Sequence, residues 1–271
     1  MRRLKHEGIS LPRLDYRETA EEIYGFVRKC VEEAHAAGVV VGLSGGVDSS
    51  LAATLCVNAL GKDRVMGVLI PTDFTPKEDV ADARALAAWL GMRTEYVNIQ
   101  GVCDRLFKDL GIDKGDPKKK MPMANIYART RMIILYYYAN LNNFLVVGSS
   151  DRSEALIGFF TKYGDGGADL FPSIHLYKTQ VRELAKHLGV PERIAYKPSS
   201  PQLYPGHKAT DEIPLDYDRL DPVLVGLFDL KLPPKEVSRL TNVPIETVEE
   251  VLRRFNASKH KRTFPPTVKG L

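Results

Sequence analysis

Apolar positions along the chain alternate between two periods, and the alternation predicts the architecture. Ile23, Val27, Cys30, Val31 and Ala34 recur at helical spacing, which predicts an amphipathic helix from about Asp15 to Ala36, closed by Gly38. Four short apolar or β-branched runs read as strands: Val39 to Leu43, Arg64 to Ile70, Arg93 to Ile99 and Phe144 to Gly148. Between them lie helical patterns over Asp48 to Leu60, from Thr75 and Pro76 through Val80, Ala83, Leu86, Ala87 and Leu90, and from about Asn125 to Asn140. Alternating strands and helices imply right-handed crossovers. The expected fold class is therefore α/β, a doubly wound, mostly parallel sheet with helices on both faces, with ligands at the carboxyl ends of the strands.

Beyond Gly148 the pattern turns Gly-rich (Gly158, Gly164, Gly166, Gly167) and then helical at Val181, Leu184, Ala185 and Leu188, and again at Val248, Val251, Leu252 and Phe255. Gly111 to Met123 and the Pro-rich Pro198 to Pro214 have few apolar anchors and read as candidate mobile loops. No linker divides the chain, so residues 1–271 are expected to form one domain. The 44% hydrophobic and 27% charged content excludes a disordered or fibrous protein. A net charge of +4 with scattered basic residues is no nucleic-acid footprint. Cys30, Cys56 and Cys103, an odd count without a close pair, fit reduced, buried thiols. No apolar run approaches the length that crosses a bilayer, and the start at Met1, Arg2, Arg3, His6 and Glu7 lacks the apolar core of a signal peptide. A cytoplasmic protein without membrane or nucleic-acid partners is expected.

The sharpest chemical signal is Gly42-Leu43-Ser44-Gly45-Gly46-Val47-Asp48-Ser49-Ser50, which follows a predicted strand and opens a helix. Paired glycines let the backbone approach a ligand, the serines offer hydroxyls, and the new helix presents unpaired N–H groups to an anion. The loop contains no lysine and matches neither Gly-x-x-x-x-Gly-Lys-Ser/Thr nor Gly-x-Gly-x-x-Gly. An Asp inside a polyphosphate loop repels its ligand unless a divalent cation lies between them, so Asp48 reads as a Mg²⁺ ligand. The bland alternative is a turn whose Asp caps the helix.

These residues resemble the pyrophosphate loop of the ATP pyrophosphatases, which adenylate a substrate and have an adenine nucleotide alpha hydrolase-like fold. Within that superfamily the second half of the chain is similar to NAD synthetase. The similarity rests on Gly148-Ser149-Ser150-Asp151-Arg152-Ser153-Glu154, on Phe160-Thr161-Lys162-Tyr163-Gly164-Asp165-Gly166-Gly167-Ala168-Asp169, and on Lys178-Thr179-Gln180. Further matching pieces are Asn125 to Arg131, Lys197 to Ser200, Asp211-Glu212 and His260-Lys261-Arg262. Asp151-Arg152 departs from the Asn-Lys usual in the family and adds a carboxylate, and Pro201-Gln202 stands where the family has Ala-Asp.

The resemblance implies that ATP activates the nicotinate carboxylate of deamido-NAD as an adenylate, which ammonia then displaces to give NAD, AMP and pyrophosphate. It implies Mg²⁺ held by Asp48 and Glu154, ATP contacts from the loop with Ser149, Lys178 and Ser200, and deamido-NAD contacts from Arg129, Lys162, Asp169, His260 and Lys261. Each has a bland alternative: a solvated helix Glu at 154, a surface lysine at 178, and a solvated basic tail at 260–261. Asp165 is a candidate for guiding ammonia or its proton, with Gly-Asp-Gly-Gly turn chemistry as the alternative. Asn125 and Arg129 share a helical face while Arg131 projects about 200° away at 3.6 residues per turn, so Arg129 is assigned to ligand and Arg131 to structure. Glutamine-using members carry an additional amidase domain for which 271 residues filled by this pattern leave no room, so free ammonia is the expected donor and a homodimer the expected assembly. Competing classes are a GMP synthetase ATPase subunit, a tRNA-thiolating enzyme and a non-catalytic nucleotide-binding module.

Overall fold

Four parallel strands carry the fold: β1 (Gly38–Gly42), β2 (Val65–Leu69), β3 (Arg93–Tyr96) and β4 (Phe144–Val147), in the spatial order β3-β2-β1-β4. They belong to a computed structural model that describes residues 8–268, so Met1 to Glu7, on which the signal-peptide reading rests, lie outside the described residues. Val39, Val40 and Val41 of β1 are each fully buried, because helices cover both faces of the sheet. Val39 and Val41 join one core with α1 (Tyr16–Glu33), α2 (Val47–Leu60) and α3 (Lys77–Leu90). Val40 joins the opposite core with α4 (Gln100–Asp109) and α5 (Lys120–Asn142). Each fully buried valine contributes about 1.5–3 kcal/mol.

After β4 the chain forms α6 (Arg152–Ile157), α7 (Lys178–His187) and α8 (Glu192–Ala195). It then forms α9 (Tyr217–Leu224), α10 (Pro234–Thr241), α11 (Ile245–Ala257) and the short α12 (Lys259–Arg262). Val181 and Leu184 of α7 complete the first core, whereas Ile157 packs with α9, α10 and α11 in a third apolar cluster. The doubly wound expectation is met: the chain steps outward from β1 through β2 to β3, then places β4 on the other side of β1. That reversal opens a crevice beyond the carboxyl ends of β1 and β4. Among the described residues no helix is long and apolar enough to cross a membrane.

Several boundaries differ from the sequence reading for local reasons. The first helix ends at Glu33, and Gly38 begins β1 because a Cβ there would stand 2.2 Å from the Arg64 carbonyl oxygen. The predicted third strand stops at Tyr96, and α4 follows where no element was predicted. Buried Cys103 and Phe107 of α4 adjoin exposed Val102 and Leu106 on one broad apolar face, but the helix is only 10 residues long and Ile99 offers no side-chain cap, so its start carries no signal. Helix α5 starts at Lys120, well before Asn125, and takes up the end of the predicted 111–123 loop. Burial pushes the Cys56 thiol up to about 12 and also raises Cys103, in line with buried free thiols; Cys30 is half-buried.

Candidate active site

The phosphate-type loop turns at Gly45, whose φ is +79° and whose added Cβ would lie 2.2 Å from the Asp79 carbonyl oxygen; both constraints select glycine. Its serines order it internally. The Ser44 and Ser49 hydroxyls stand 3.0 Å apart, and those of Ser49 and Ser50 donate to the Gly46 carbonyl at 3.2 and 2.8 Å. No side chain caps α2 at Gly46, so Asp48 is not a helix cap and the first turn keeps the uncapped N–H groups that an anion can meet. Gly42, Leu43, Ser44, Asp48 and Ser49 line a cavity of about 460 Å³ at the crevice. Gly45, Gly46 and Val47 do not, and Val47 packs into the core.

Beneath the cavity, Lys178 opens α7 with its side chain wholly buried, which overturns the surface-lysine alternative. Its Nζ lies 2.6 Å from Asp48 Oδ1, 2.9 Å from Asp151 Oδ2 and 2.9 Å from Glu154 Oε1. Asp48 and Glu154, contributed by α2 and α6, are therefore held around one point, and Glu154 is no solvated helix residue. Asp151 caps α6 by accepting the Glu154 N–H, while Glu154 Oε2 accepts the Asp151 N–H. Burial, reinforced by the Asp48 charge, raises the Asp151 carboxyl to about 6 despite Lys178. Burial and the neighbouring carboxylates also raise Glu154. Burial works against the Lys178 ammonium, yet Asp151, Asp48 and Glu154 overcome it and hold its pKa well above the usual lysine value.

Three carboxylates around one ammonium leave a surplus of negative charge facing the cavity. Asp48 and Glu154 line that cavity, with side chains 23% and 16% exposed, whereas Lys178, expected to contact ATP, does not line it and has its ammonium on the three carboxylates instead. Such hard oxygen donors suit Mg²⁺, which takes one or two carboxylates and completes its shell with phosphate and water. Among the described residues no group of three or more acidic, His or Cys side chains forms a self-sufficient metal cage, so phosphate oxygens would have to complete the shell. Asp48 and Glu154 therefore fit a phosphate-borne cation.

The remaining predicted residues divide. Ser149, Ser200, Asp165 and Lys261 line the cavity. Arg129 donates to the Lys162 carbonyl at 3.3 Å, Lys162 Nζ to the His260 carbonyl at 2.7 Å, and Lys261 Nζ to the Gly158 and Phe160 carbonyls at 2.8 Å each. Residues far apart in the chain thus meet at one rim, and the tail of 260–261 is docked rather than free. Asp169 stays outside the cavity lining: it accepts the Tyr136 hydroxyl and the Val146 N–H, pinning the chain beside β4. Asp165 has its turn role, accepting the Thr161 N–H at 2.9 Å, and still reaches the cavity.

Arg131, assigned to structure, is so bonded: its guanidinium donates to the Ile70 and Gln202 carbonyls. It also lines the cavity, where Arg129 does not, because the opposite face of α5 is the one turned toward the sheet ends. The sequence reading missed Asp151 as a third carboxylate, although its departure from the family pattern was the signal. Lys197 and Glu212 stood in matching family pieces without a role: Lys197 reaches the Gly45 carbonyl at 3.3 Å while pairing with Asp79 and Asp82, and Glu212 lines the cavity, as does His207, which no motif marked. These three lie in or beside a stretch without periodicity, where chain order says nothing of proximity.

A parallel α/β sheet with a switch-point crevice, and a glycine-serine loop and two carboxylates on one cavity there, has the form of the α/β proteins that take nucleotides at the carboxyl ends of their strands. Residues 19–265 match the family model NAD synthase. The chain is 48% identical over 254 residues to an NH(3)-dependent NAD(+) synthetase of Hyperthermus butylicus, covering 93% of this chain and 91% of that protein. An NH3-dependent NAD synthetase structure from Campylobacter jejuni aligns with TM-score 0.79 at 30% identity, over 95% of this chain and all of that one. An NMN synthetase structure from Francisella tularensis aligns with TM-score 0.81 at 30% identity, over 94% and 99%. The chain belongs to the NAD synthase family.

Removing one partner of a buried charge cluster leaves the others uncompensated. Lys178→Met is expected to lower stability by about 3–5 kcal/mol at pH 8, measured by urea unfolding. Without the ammonium, the carboxyls' folded pKa values rise further above their unfolded values. The folded form then binds more protons than the unfolded one between about pH 4 and 7, so the deficit should shrink as pH falls toward 5.

Proposed function

We propose that this chain amidates the nicotinate carboxylate of deamido-NAD with ammonia at the expense of ATP, through an adenylated intermediate, giving NAD, AMP and pyrophosphate. The observation that carries the reading is the meeting of the lysine-free loop, Asp48 and Glu154 on one cavity in a member of this family. A carboxylate is a poor electrophile, and adenylation gives its carbon a leaving group. The chain's own work is to hold two anionic nucleotides in line and to offset charge as pyrophosphate departs.

In this reading the N–H groups and hydroxyls of the loop, with Ser149 and Ser200, hold ATP. Asp48 and Glu154 hold Mg²⁺, which when bound supplies positive charge to the phosphates. Lys178 keeps both carboxylates in register from below. The rim of Arg129, Lys162, His260 and Lys261 takes deamido-NAD, with Asp169 shaping the neighbouring wall, and Asp165 faces the nitrogen donor. Ammonia as the donor is supported by the NH(3)-dependent relatives. Neither a GMP synthetase nor a tRNA-thiolating enzyme is favoured by those relatives.

A homodimer is supported by an apolar face on adjoining helices. Val102 and Leu106 of α4 with Leu110 at its C-terminal cap, and Ile133, Tyr137 and Leu141 of α5, form two stripes at i, i+4, i+8 spacing, each residue at least 40% exposed. A self-complementary pair of such stripes suits a twofold contact, with Arg105–Asp109 and Lys114–Asp104 as a charged rim.

Incubation with Mg-ATP, an ammonium salt and deamido-NAD should yield NAD, AMP and pyrophosphate in equal amounts; ADP as product would refute the reading. Nicotinate mononucleotide belongs in the same assay because of the NMN synthetase neighbour, and its exclusive use would move the acceptor to the mononucleotide. Asp48→Asn should cut pyrophosphate release by about 100-fold or more with the fold retained on circular dichroism. Turnover at the parent rate would contradict the cation assignment. The double variant Tyr137→Glu, Leu141→Glu should sediment at the 30.2 kDa chain mass where the parent sediments at twice that value.

A further inference from the structure

The phosphate-type loop contains no lysine, yet a lysine 152 positions further along the chain reaches its turn. Lys197 Nζ donates to the Gly45 carbonyl at 3.3 Å and pairs with Asp79 Oδ1 at 2.6 Å and Asp82 Oδ2 at 2.5 Å. Burial works against this ammonium, but Asp79 and Asp82 outweigh it and raise its pKa above the usual lysine value. Lys197, Asp79 and Gly45 do not line the cavity, so the contact acts on the loop and not on a ligand. The turn that follows Lys197 is fastened to α3 without it, because Gln202 donates to Asp79, and Arg193 already pairs with Asp82 at 3.0 Å. What Lys197 adds is a bond to the loop backbone.

The bonded carbonyl belongs to a peptide between two glycines. Gly45 stands at φ +79°, and Gly46 at φ −92° and ψ 166°. In a trans peptide the carbonyl and the N–H point to opposite sides. With the Gly45 oxygen on Lys197, the Gly46 N–H is directed to Ser44 Oγ, 3.3 Å away, and Ser44 lines the cavity. A flip of this peptide would turn Gly45 ψ and Gly46 φ by about 180°, a change that glycine tolerates and other residues resist. The flipped form would put a carbonyl oxygen on the Ser44 side, where it repels phosphate, in place of an N–H that binds it. The next carbonyl, that of Gly46, is committed to α2, accepting the Ser49 and Ser50 hydroxyls and the Ser50 N–H. For the Gly45 carbonyl the partner is Lys197.

We infer that Lys197 is a positioning residue that locks the Gly45–Gly46 peptide with its N–H on the phosphate side; the inference rests on the reading above that this loop holds the ATP phosphates. A cation behind the carbonyl turns a backbone dipole toward the anion without touching it. Because the ammonium is paired with α3 and not with the ligand, the lock persists when pyrophosphate departs.

Calorimetric titration with Mg-pyrophosphate, Mg-ATP and adenosine, beside the KM for deamido-NAD, tests the lock. In Lys197→Met the Kd for Mg-pyrophosphate and for Mg-ATP should rise about 10-fold or more, the weight of one charge-assisted hydrogen bond, while the Kd for adenosine and the KM for deamido-NAD stay within about twofold of the parent. Lys197→Arg keeps donors for the carbonyl and should recover most of the loss. Gly46→Ala resists the flipped φ, so in that background the cost of Lys197→Met should shrink to about twofold. Lys197→Met combined with Asp82→Asn, which removes the carboxylate left unpaired, serves if the single variant does not fold. Equal weakening of pyrophosphate, adenosine and deamido-NAD, or pyrophosphate binding in Lys197→Met equal to the parent's, would make the lysine a structural staple and overturn the inference. A parent protein that binds neither Mg-ATP nor Mg-pyrophosphate would instead refute the assignment of this loop to ATP.

Discussion

One buried ammonium surrounded by three carboxylates is the constraint on which the rest of the site depends. Desolvating four charges is costly, and the arrangement persists because each carboxylate has other bonds or an open side: Asp151 caps α6, Glu154 returns a bond to the Asp151 N–H, and Asp48 faces the cavity. Asp221 extends the network from α9, accepting the Ser153 and Thr179 hydroxyls and the Thr179 N–H. Through these bonds α2, α6, α7 and α9 share one electrostatic centre, and the surplus negative charge is directed at the place where a phosphate-borne cation would sit.

The loop above that centre is held from a second side. Lys197, just before the turn that carries Ser200, reaches the Gly45 carbonyl and pairs with Asp79 and Asp82 of α3, while Gln202 bonds Asp79. The residues on either side of the cavity are thus tied through one cation and one helix. Glycine at position 45 is needed for the same contact, because the Asp79 backbone leaves no space for a Cβ. Preorganisation of this kind lets binding energy be used on charge that develops during reaction rather than on ordering the loop.

Much of the fold was legible. Strands buried on both faces read as unbroken β-branched runs, and the glycine-serine loop announced itself by its place between a strand and a helix. The elements that escaped did so for physical reasons: α4 is short and starts without a side-chain cap, and α5 begins on Lys120 and carries Pro122 in its first turn, directly after the Lys118-Lys119 turn, before its packed face begins. The arginine assignment turned on helix phase. Counting 3.6 residues per turn correctly separated Arg129 from Arg131, but only the packing of α5 on the sheet decides which of the two faces the cavity.

Local chemistry in the chain determined the α/β class, the parallel sheet and the place of the glycine-serine loop between a strand and a helix, because each depends on neighbours within a few positions. Tertiary packing alone decided that Lys178 lies under Asp48 and Glu154 rather than on the surface, that Asp151 joins them, that the tail at Lys261 docks on the Gly158 and Phe160 carbonyls, and that His207 meets Glu212 at the cavity wall. Contacts such as Lys178 with Asp48 or Lys261 with Gly158, more than a hundred positions apart, leave no period in the sequence, since they arise from how helices settle on a sheet and not from any repeat along the backbone.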